Sequence, residues 1–242
     1  MAAAPETPAR PRLLVLWDVD HTLIETRGVG RAIYDRAFLA ATGKPLTELA
    51  HISGRTELDI MAESLRINGI EPTDDAIRKL AGALVQGYED DRDELHTRGR
   101  ALPGAAETLA ELTVQPALYQ SVLTGNLREV ARIKLEVFGL DRYLDLAAGA
   151  YGDDDPDRSK LVRIAQDRAS ERARIRFNSE ATVLVGDTTK DVEAGLAAGA
   201  RVVGVATGKT GADDLRGVGA QVVAADLREC STILLRFAQD GA

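Results

Sequence analysis

The sequence predicts an α/β protein with a Rossmann-like parallel sheet as its core and an all-helical segment inserted after the first strand. Three observations carry this. Short apolar runs alternate with helical periodicity from about residue 101 onward, the pattern of strand–helix repeats that cover both faces of a parallel sheet. Several of these runs end in loops of Asp, Thr, Asn and Gly, and in open α/β sheets such carboxyl ends gather along one edge. Between Glu25 and Arg100 no strand pattern occurs, while three helical patterns do.

Taken in order, Met1-Ala-Ala-Ala-Pro-Glu-Thr-Pro-Ala-Arg-Pro is small and Pro-rich and reads as a disordered lead over residues 1–11. Leu13–Trp17 is a continuous apolar run that fits a buried strand. It stops at Asp18-Val-Asp20-His-Thr22. From Arg31, apolar residues at 33, 34, 37, 38 and 41 keep three- and four-residue spacing up to Gly43, which predicts a helix. A second helix fits Thr56–Ile67. A third opens at Pro72-Thr-Asp-Asp, carries Ile77, Leu80, Ala81, Leu84, Val85 and Tyr88 on one face, and runs out into the charged stretch Glu89–Glu94.

Strand and helix then alternate: helix Ala105–Leu112, strand Ala117–Leu123, helix Leu127–Phe138, a short strand Leu144–Ala148, and a helix from Arg158 to about Glu171. Strand Ala181–Val185, helix Val192–Ala198, strand Arg201–Val205, a weaker strand Gln221–Ala224 and a last helix over Leu227–Phe237 complete the chain. The division expected is a core of residues 12–26 and 101–242, with the helical insertion at 27–100.

Composition narrows the partners. A net charge of −8 argues against nucleic acid or an anionic membrane surface, without forbidding a local basic pocket. No apolar run approaches the ~20 residues of a membrane span. One cysteine, Cys230, excludes an internal disulfide and fits a reducing, cytoplasmic setting.

The chemistry-bearing residues stand at the strand ends. Alternation along a strand puts Asp18 and Asp20 on one side. Neighbouring carboxylates repel, and a hard divalent cation such as Mg²⁺ relieves the repulsion. Thr124-Gly125-Asn126 offers a hydroxyl and backbone N–H groups before a helix, an anion seat. Arg158 and Lys160 begin the helix after an Asp-rich loop, and either cation could reach a phosphate. Gly186-Asp187-Thr-Thr-Lys-Asp191 adds two carboxylates. Each group alone has an ordinary structural explanation as a cap, a surface charge or a helix start. Their order and shared edge make the set specific.

Asp18-Val-Asp-His-Thr22, Leu123-Thr-Gly-Asn126 and Gly186-Asp-Thr-Thr-Lys-Asp191 resemble, in that order, the motifs of the haloacid dehalogenase (HAD) superfamily in its helical-cap, phosphoglycolate-phosphatase-like branch. The resemblance spans about residues 12 to 237 and places the insertion where that branch carries its cap. It implies an HAD-like fold and a Mg²⁺-dependent phosphomonoester hydrolase acting on a small phosphorylated metabolite, with phosphoglycolate as the leading candidate.

It also implies roles. Asp18 is the nucleophile, forming an aspartyl-phosphate, and Asp20 is the general acid and base, with a raised pKa. Asp18, the main-chain carbonyl of Asp20 and Asp187 hold the metal, with Asp191 behind them. Thr124 and a cation hold the phosphoryl oxygens, helped by Val19, Gly125 and Asn126. Arg158 is favoured over Lys160 because it stands at the helix start. Arg55, in Ser53-Gly-Arg55-Thr56, is a candidate to meet a carboxylate or second phosphate of the substrate. His21 stands where the family often has Gly.

Other chemistries fit less well. A dehalogenase has no need of Asp20. A phosphonate-cleaving relative needs a cap lysine, and nothing marks out Lys44 or Lys79. A phosphosugar mutase of the same fold and a non-catalytic phosphate-binding module stay as alternatives. Gly204-Val-Ala-Thr-Gly-Lys-Thr210 is one residue short of a nucleotide P-loop and reads as a loop after the fifth strand.

Overall fold

A computed structural model of the chain describes residues 11–240. All of the expected N-terminal lead except Pro11 lies outside them. Strand β1 (Leu13–Trp17) is the pivot. It pairs in parallel with β4 (Leu118–Val122) on one side, Leu13 opposite Leu118, and with β5 (Thr182–Gly186) on the other. Then come β6 (Arg201–Val205) and β7 (Val222–Ala224), so the five parallel strands run β4-β1-β5-β6-β7. All five β1 residues are buried because both sheet faces are covered. Leu13, Val15 and Trp17 join one core with α5 (Ala105–Thr113) and α10 (Leu227–Asp240). Leu14 and Leu16 join the opposite core with α7 (Arg158–Ala173).

This strand order reverses direction beside β1, whose chain neighbour β4 lies on one side while β5 lies on the other. A crevice opens at such a switch point, at the carboxyl ends of the strands. Asp18 follows β1 there and Asp187 follows β5, so the topology itself brings the two together.

The insertion leaves and rejoins the core through a short antiparallel pair, β2 (Ile24–Glu25) with β3 (Arg100–Ala101). Between them lie α1 (Val29–Thr42), α2 (Glu57–Ile67), α3 (Asp74–Asp90) and α4 (Arg92–Arg98). These helices build a separate apolar cluster around Ile33, Phe38, Met61, Leu65, Leu80 and Leu84. Leu127, Val130 and Ile133, the last two on α6 (Arg128–Val137), complete this cluster, so α6 serves cap and core at once.

Several expectations change. The strand expected at Leu144–Ala148 is absent: Asp141–Tyr143 and Leu146–Ala148 are 3₁₀ turns. The Asp145 carboxylate accepts from the Ala147 N–H and caps the second turn, while Asp145 N–H donates to Gln120 O at the edge of β4. Only an isolated bridge, Leu123 with Ala150, extends the sheet there. Helix α8 (Thr189–Ala197) starts three residues before the expected Val192, because Thr188 and Asp191 form a reciprocal capping box. The charged run after α3 folds into α4, and α9 (Ala212–Gly217) follows the expected 204–210 loop, where the sequence predicts no element.

Candidate active site

The β1–β5 crevice and the cap enclose a cavity of about 640 Å³, within the usual range for small-molecule sites. Asp18, Asp20, Thr124, Gly125, Asn126, Arg158, Asp187 and Asp191 all line it from the core side, and Arg55 lines it from the cap. Val19 is buried between the two aspartates. Lys160 is left out: it is largely exposed and pairs with Asp155 at 3.2 Å.

Asp18 is fixed by its backbone, whose N–H donates to Val185 O at 2.9 Å. Its Oδ1 accepts from Arg158 Nη2 at 2.7 Å, and the same guanidinium nitrogen also donates to Asp191. Arg158 is nine-tenths buried, and its Nε has no partner. A buried guanidinium with an unused donor is suited to gripping an anion's oxygens.

Asp18, Asp187 and Asp191 present carboxylate oxygens that all lie within 4.8 Å of one another, and all three residues are buried. Asp191 is already committed. One oxygen serves the Thr188 cap and the other serves Arg158. Asp187 Oδ1 accepts from the buried Thr22 hydroxyl at 3.0 Å.

Three buried carboxylates thus gather around one guanidinium, which bonds two of them. Burial and the neighbouring Asp191 push the Asp18 carboxyl well above its usual range. The same two causes push Asp187 up to about 7. Without a cation to offset them, burial and like charge thus disfavour ionisation of Asp18. The donor set fits a divalent metal: hard oxygens, excess negative charge, and Asp191 locked as a support behind Asp18 and Asp187.

Asp20 behaves oppositely. Its two oxygens accept from Lys134 Nζ at 2.9 and 2.7 Å, and one also accepts from Asn126 Nδ2 at 2.8 Å. Burial alone would raise its pKa, but Lys134 and Asn126 together lower it below the ordinary carboxylate value. The expected raised pKa is overturned: the ligand-free protein holds Asp20 ionised. Asn126 is a bridge, since its Oδ1 accepts from Lys134 Nζ at 2.6 Å and its Nδ2 also donates to Thr124 Oγ1 at 2.7 Å. Two N–H groups of the expected anion seat are already used, that of Asn126 by Thr124 Oγ1 and that of Arg128 by Asp153.

Lys134 is the residue that sequence reasoning missed. It is buried, with its ammonium 5.1 Å from the Tyr88 ring centroid. The signal was present: Leu127, Val130, Lys134 and Phe138 share one helical stripe, so a lysine stands where an apolar residue is due. His21 has φ 61°, in the left-handed region that glycine adopts most readily.

Arg55 is close to the site but engaged. Its guanidinium donates to Asp59, to Glu63 and to the His51 carbonyl. The loop that carries it is docked on the core. Glu57 N–H donates to Gly125 O at 2.7 Å, Thr56 Oγ1 donates to Pro156 O at 2.9 Å, and Leu58 N–H reaches Gly152 O at 3.4 Å. Gly125 permits this approach, because a Cβ there would collide with the Arg55 carbonyl oxygen.

Comparison with known proteins agrees with this architecture. Residues 15–205 match the family model for haloacid dehalogenase-like hydrolases. A hydrolase from Pseudomonas syringae superposes with a TM-score of 0.67 at 23% identity, covering 93% of this chain and 98% of that one. A predicted phosphoglycolate phosphatase from Haemophilus somnus gives 0.61 at 17% identity, over 93% and 98%. A HAD family hydrolase from Deinococcus radiodurans, with bound phosphate and sodium, gives 0.56 at 23% identity, over 95% and 97%. No curated protein sequence matches significantly. These identities speak for the fold, while the family match spans most of the chain: the protein belongs to the haloacid dehalogenase-like hydrolases.

Proposed function

We propose that the protein is a Mg²⁺-dependent phosphomonoester hydrolase working through an aspartyl-phosphate on Asp18. The observation that carries this reading is the pairing of Asp18 with the buried, partly unpartnered Arg158 in a three-carboxylate cluster, with a further carboxylate, Asp20, lining the same cavity. A neighbour of the same fold has bound phosphate, which supports the assignment of the anion.

Asp18 and Asp187, with the Asp20 carbonyl, would hold the metal, and Asp191 would steady them. When bound, it offsets their charge and that of the phosphate. Asp18 Oδ attacks phosphorus, forming one O–P bond as the bond to the leaving oxygen breaks. Arg158 and Thr124 hold the phosphoryl oxygens, assisted by the backbone at Val19 and Gly125. Asp20 hands a proton to the leaving oxygen. Lys134 favours the ionised form in the ligand-free protein, so Asp20 takes up its first proton from solvent as the substrate's negative charge enters the site, and the hydrolytic water restores that proton in each later cycle. A water then attacks phosphorus, Asp20 takes its proton, and the Asp18–phosphorus bond breaks to release phosphate. A cytoplasmic setting fits the single, buried thiol of Cys230.

The test is phosphate release from a panel of small phosphate esters with Mg²⁺ and with EDTA. Release that EDTA abolishes is expected. Isomerisation of a sugar 1-phosphate with no ester cleaved would replace the reading with that of a mutase. Phosphate and metal binding with no turnover would replace it with that of a binding module.

A further inference from the structure

The cap side of the cavity is mainly apolar, walled by Leu49, Ile60, Leu84, Tyr88 and Val130. Its cations are spent. Arg55 is held by Asp59, Glu63 and the His51 carbonyl, and Lys134 by Asp20 and Asn126. Apart from Arg158, the other basic residues of the lining, Arg31, His51 and Lys209, stand at the exposed mouth, and Arg31 is already paired with Asp35.

Two oxygens on this side have the opposite character. Tyr34 Oη and Glu57 Oε1 are buried and lie beside one another, and neither has a hydrogen-bond partner at normal geometry. Tyr34 is only 7% exposed, and both residues line the cavity. Buried polar groups are ordinarily paired, so an orphaned acceptor on a ligand cavity marks where a ligand's donor belongs. Tyr34 can give or accept one hydrogen bond. Burial pushes the Glu57 carboxyl up to about 7; ionised above that pH, it only accepts, and it repels an anion in a site of low dielectric.

We propose that the substrate's leaving group has a mainly apolar body and carries a hydroxyl or ammonium donor received by Glu57 and Tyr34, and that a carboxylate or second phosphate at this position is disfavoured. This rests on the phosphatase reading and refines it. It turns the expected preference for phosphoglycolate around, because a glycolyl carboxylate would lie among Asp20, Glu57 and cations that are already paired.

The test uses two size-matched series at one Mg²⁺ concentration and at about pH 8.5, where Glu57 is ionised. One is 2-hydroxyethyl phosphate, 2-aminoethyl phosphate and phosphoglycolate. The other is benzyl phosphates with a para hydroxymethyl, aminomethyl or carboxylate group. Within at least one series the donor-bearing esters should exceed the carboxylate ester by about tenfold or more in kcat/KM. Glu57→Gln should narrow that ratio at least threefold, chiefly by raising turnover of the carboxylate ester, a gain that misfolding does not produce. Tyr34→Phe should lower kcat/KM for the donor-bearing esters with little change for the carboxylate ester. Equal or better use of the carboxylate esters by the wild type, or a ratio unmoved by Glu57→Gln, overturns the inference and leaves the phosphatase reading intact. No release from any ester removes both.

Discussion

Gly125→Ala tests whether the docked cap loop belongs to the working enzyme. The added methyl would meet the carbonyl oxygen of Arg55, a backbone atom that can yield only if the loop lifts. Lifting gives up the Glu57 N–H bond to Gly125 O at 2.7 Å and the Thr56 hydroxyl bond to Pro156 O at 2.9 Å, together with the longer Leu58 contact. At about 1 kcal/mol net for each good bond, the docked state loses about 2–3 kcal/mol. That lowers its weight, and with it kcat/KM, by about 30- to 150-fold. Alanine keeps the N–H at position 125, and its methyl would stand 3.1 Å from Arg158 Nη1, so that side chain need shift by only a few tenths of an ångström. The assay pairs ester hydrolysis with inhibition by inorganic phosphate and with far-UV circular dichroism. Inhibition by phosphate, held mainly by core residues, should move less than about threefold. If kcat/KM stays within about threefold of wild type, docking of this loop has no part in turnover.

Two further results are expected. Lys134→Met strips Asp20 of its buried cation. Breaking a fully buried pair costs about 3–5 kcal/mol, but the Asp20 side chain keeps 34% exposure, so about 2–3 kcal/mol is expected, read as a fall in Tm of roughly 5–10 °C; an unchanged Tm would show the pair to be neutral. Asp187 has its folded pKa raised from 3.8 to about 7, so the metal-free protein has this stability below pH ~3.8 and loses it as pH rises through about 7. Mg²⁺ should therefore raise Tm clearly at pH 7.5 and hardly at pH 5, where protons compete for the same oxygens; an equal shift at both would contradict the proposed ligands.

Much of this was legible in the sequence, for identifiable reasons. The buried strands Leu13–Trp17 and Thr182–Gly186 announce themselves because parallel strands covered on both faces are apolar throughout. Arg158 could be preferred to Lys160 because the first helical residue faces the crevice that the preceding loop has just reached. Leu144–Ala148 misled, since a short apolar stretch does not reveal that Asp145 will cap a turn. The ionisation of Asp20 was hidden for a different reason: its partner is 114 residues away, and no local pattern reports a contact across the fold. Arg55 shows the same limit, because position alone could not say that Asp59 and Glu63 would take its guanidinium.

The central claim is that the Asp18 carboxylate is the nucleophile. Phosphate release by Asp18→Asn, measured beside the wild type at saturating Mg²⁺ on the best ester of the panel, tests it most directly. The account predicts a loss of about a thousandfold or more with the fold retained by circular dichroism. Turnover equal to the wild type would contradict it.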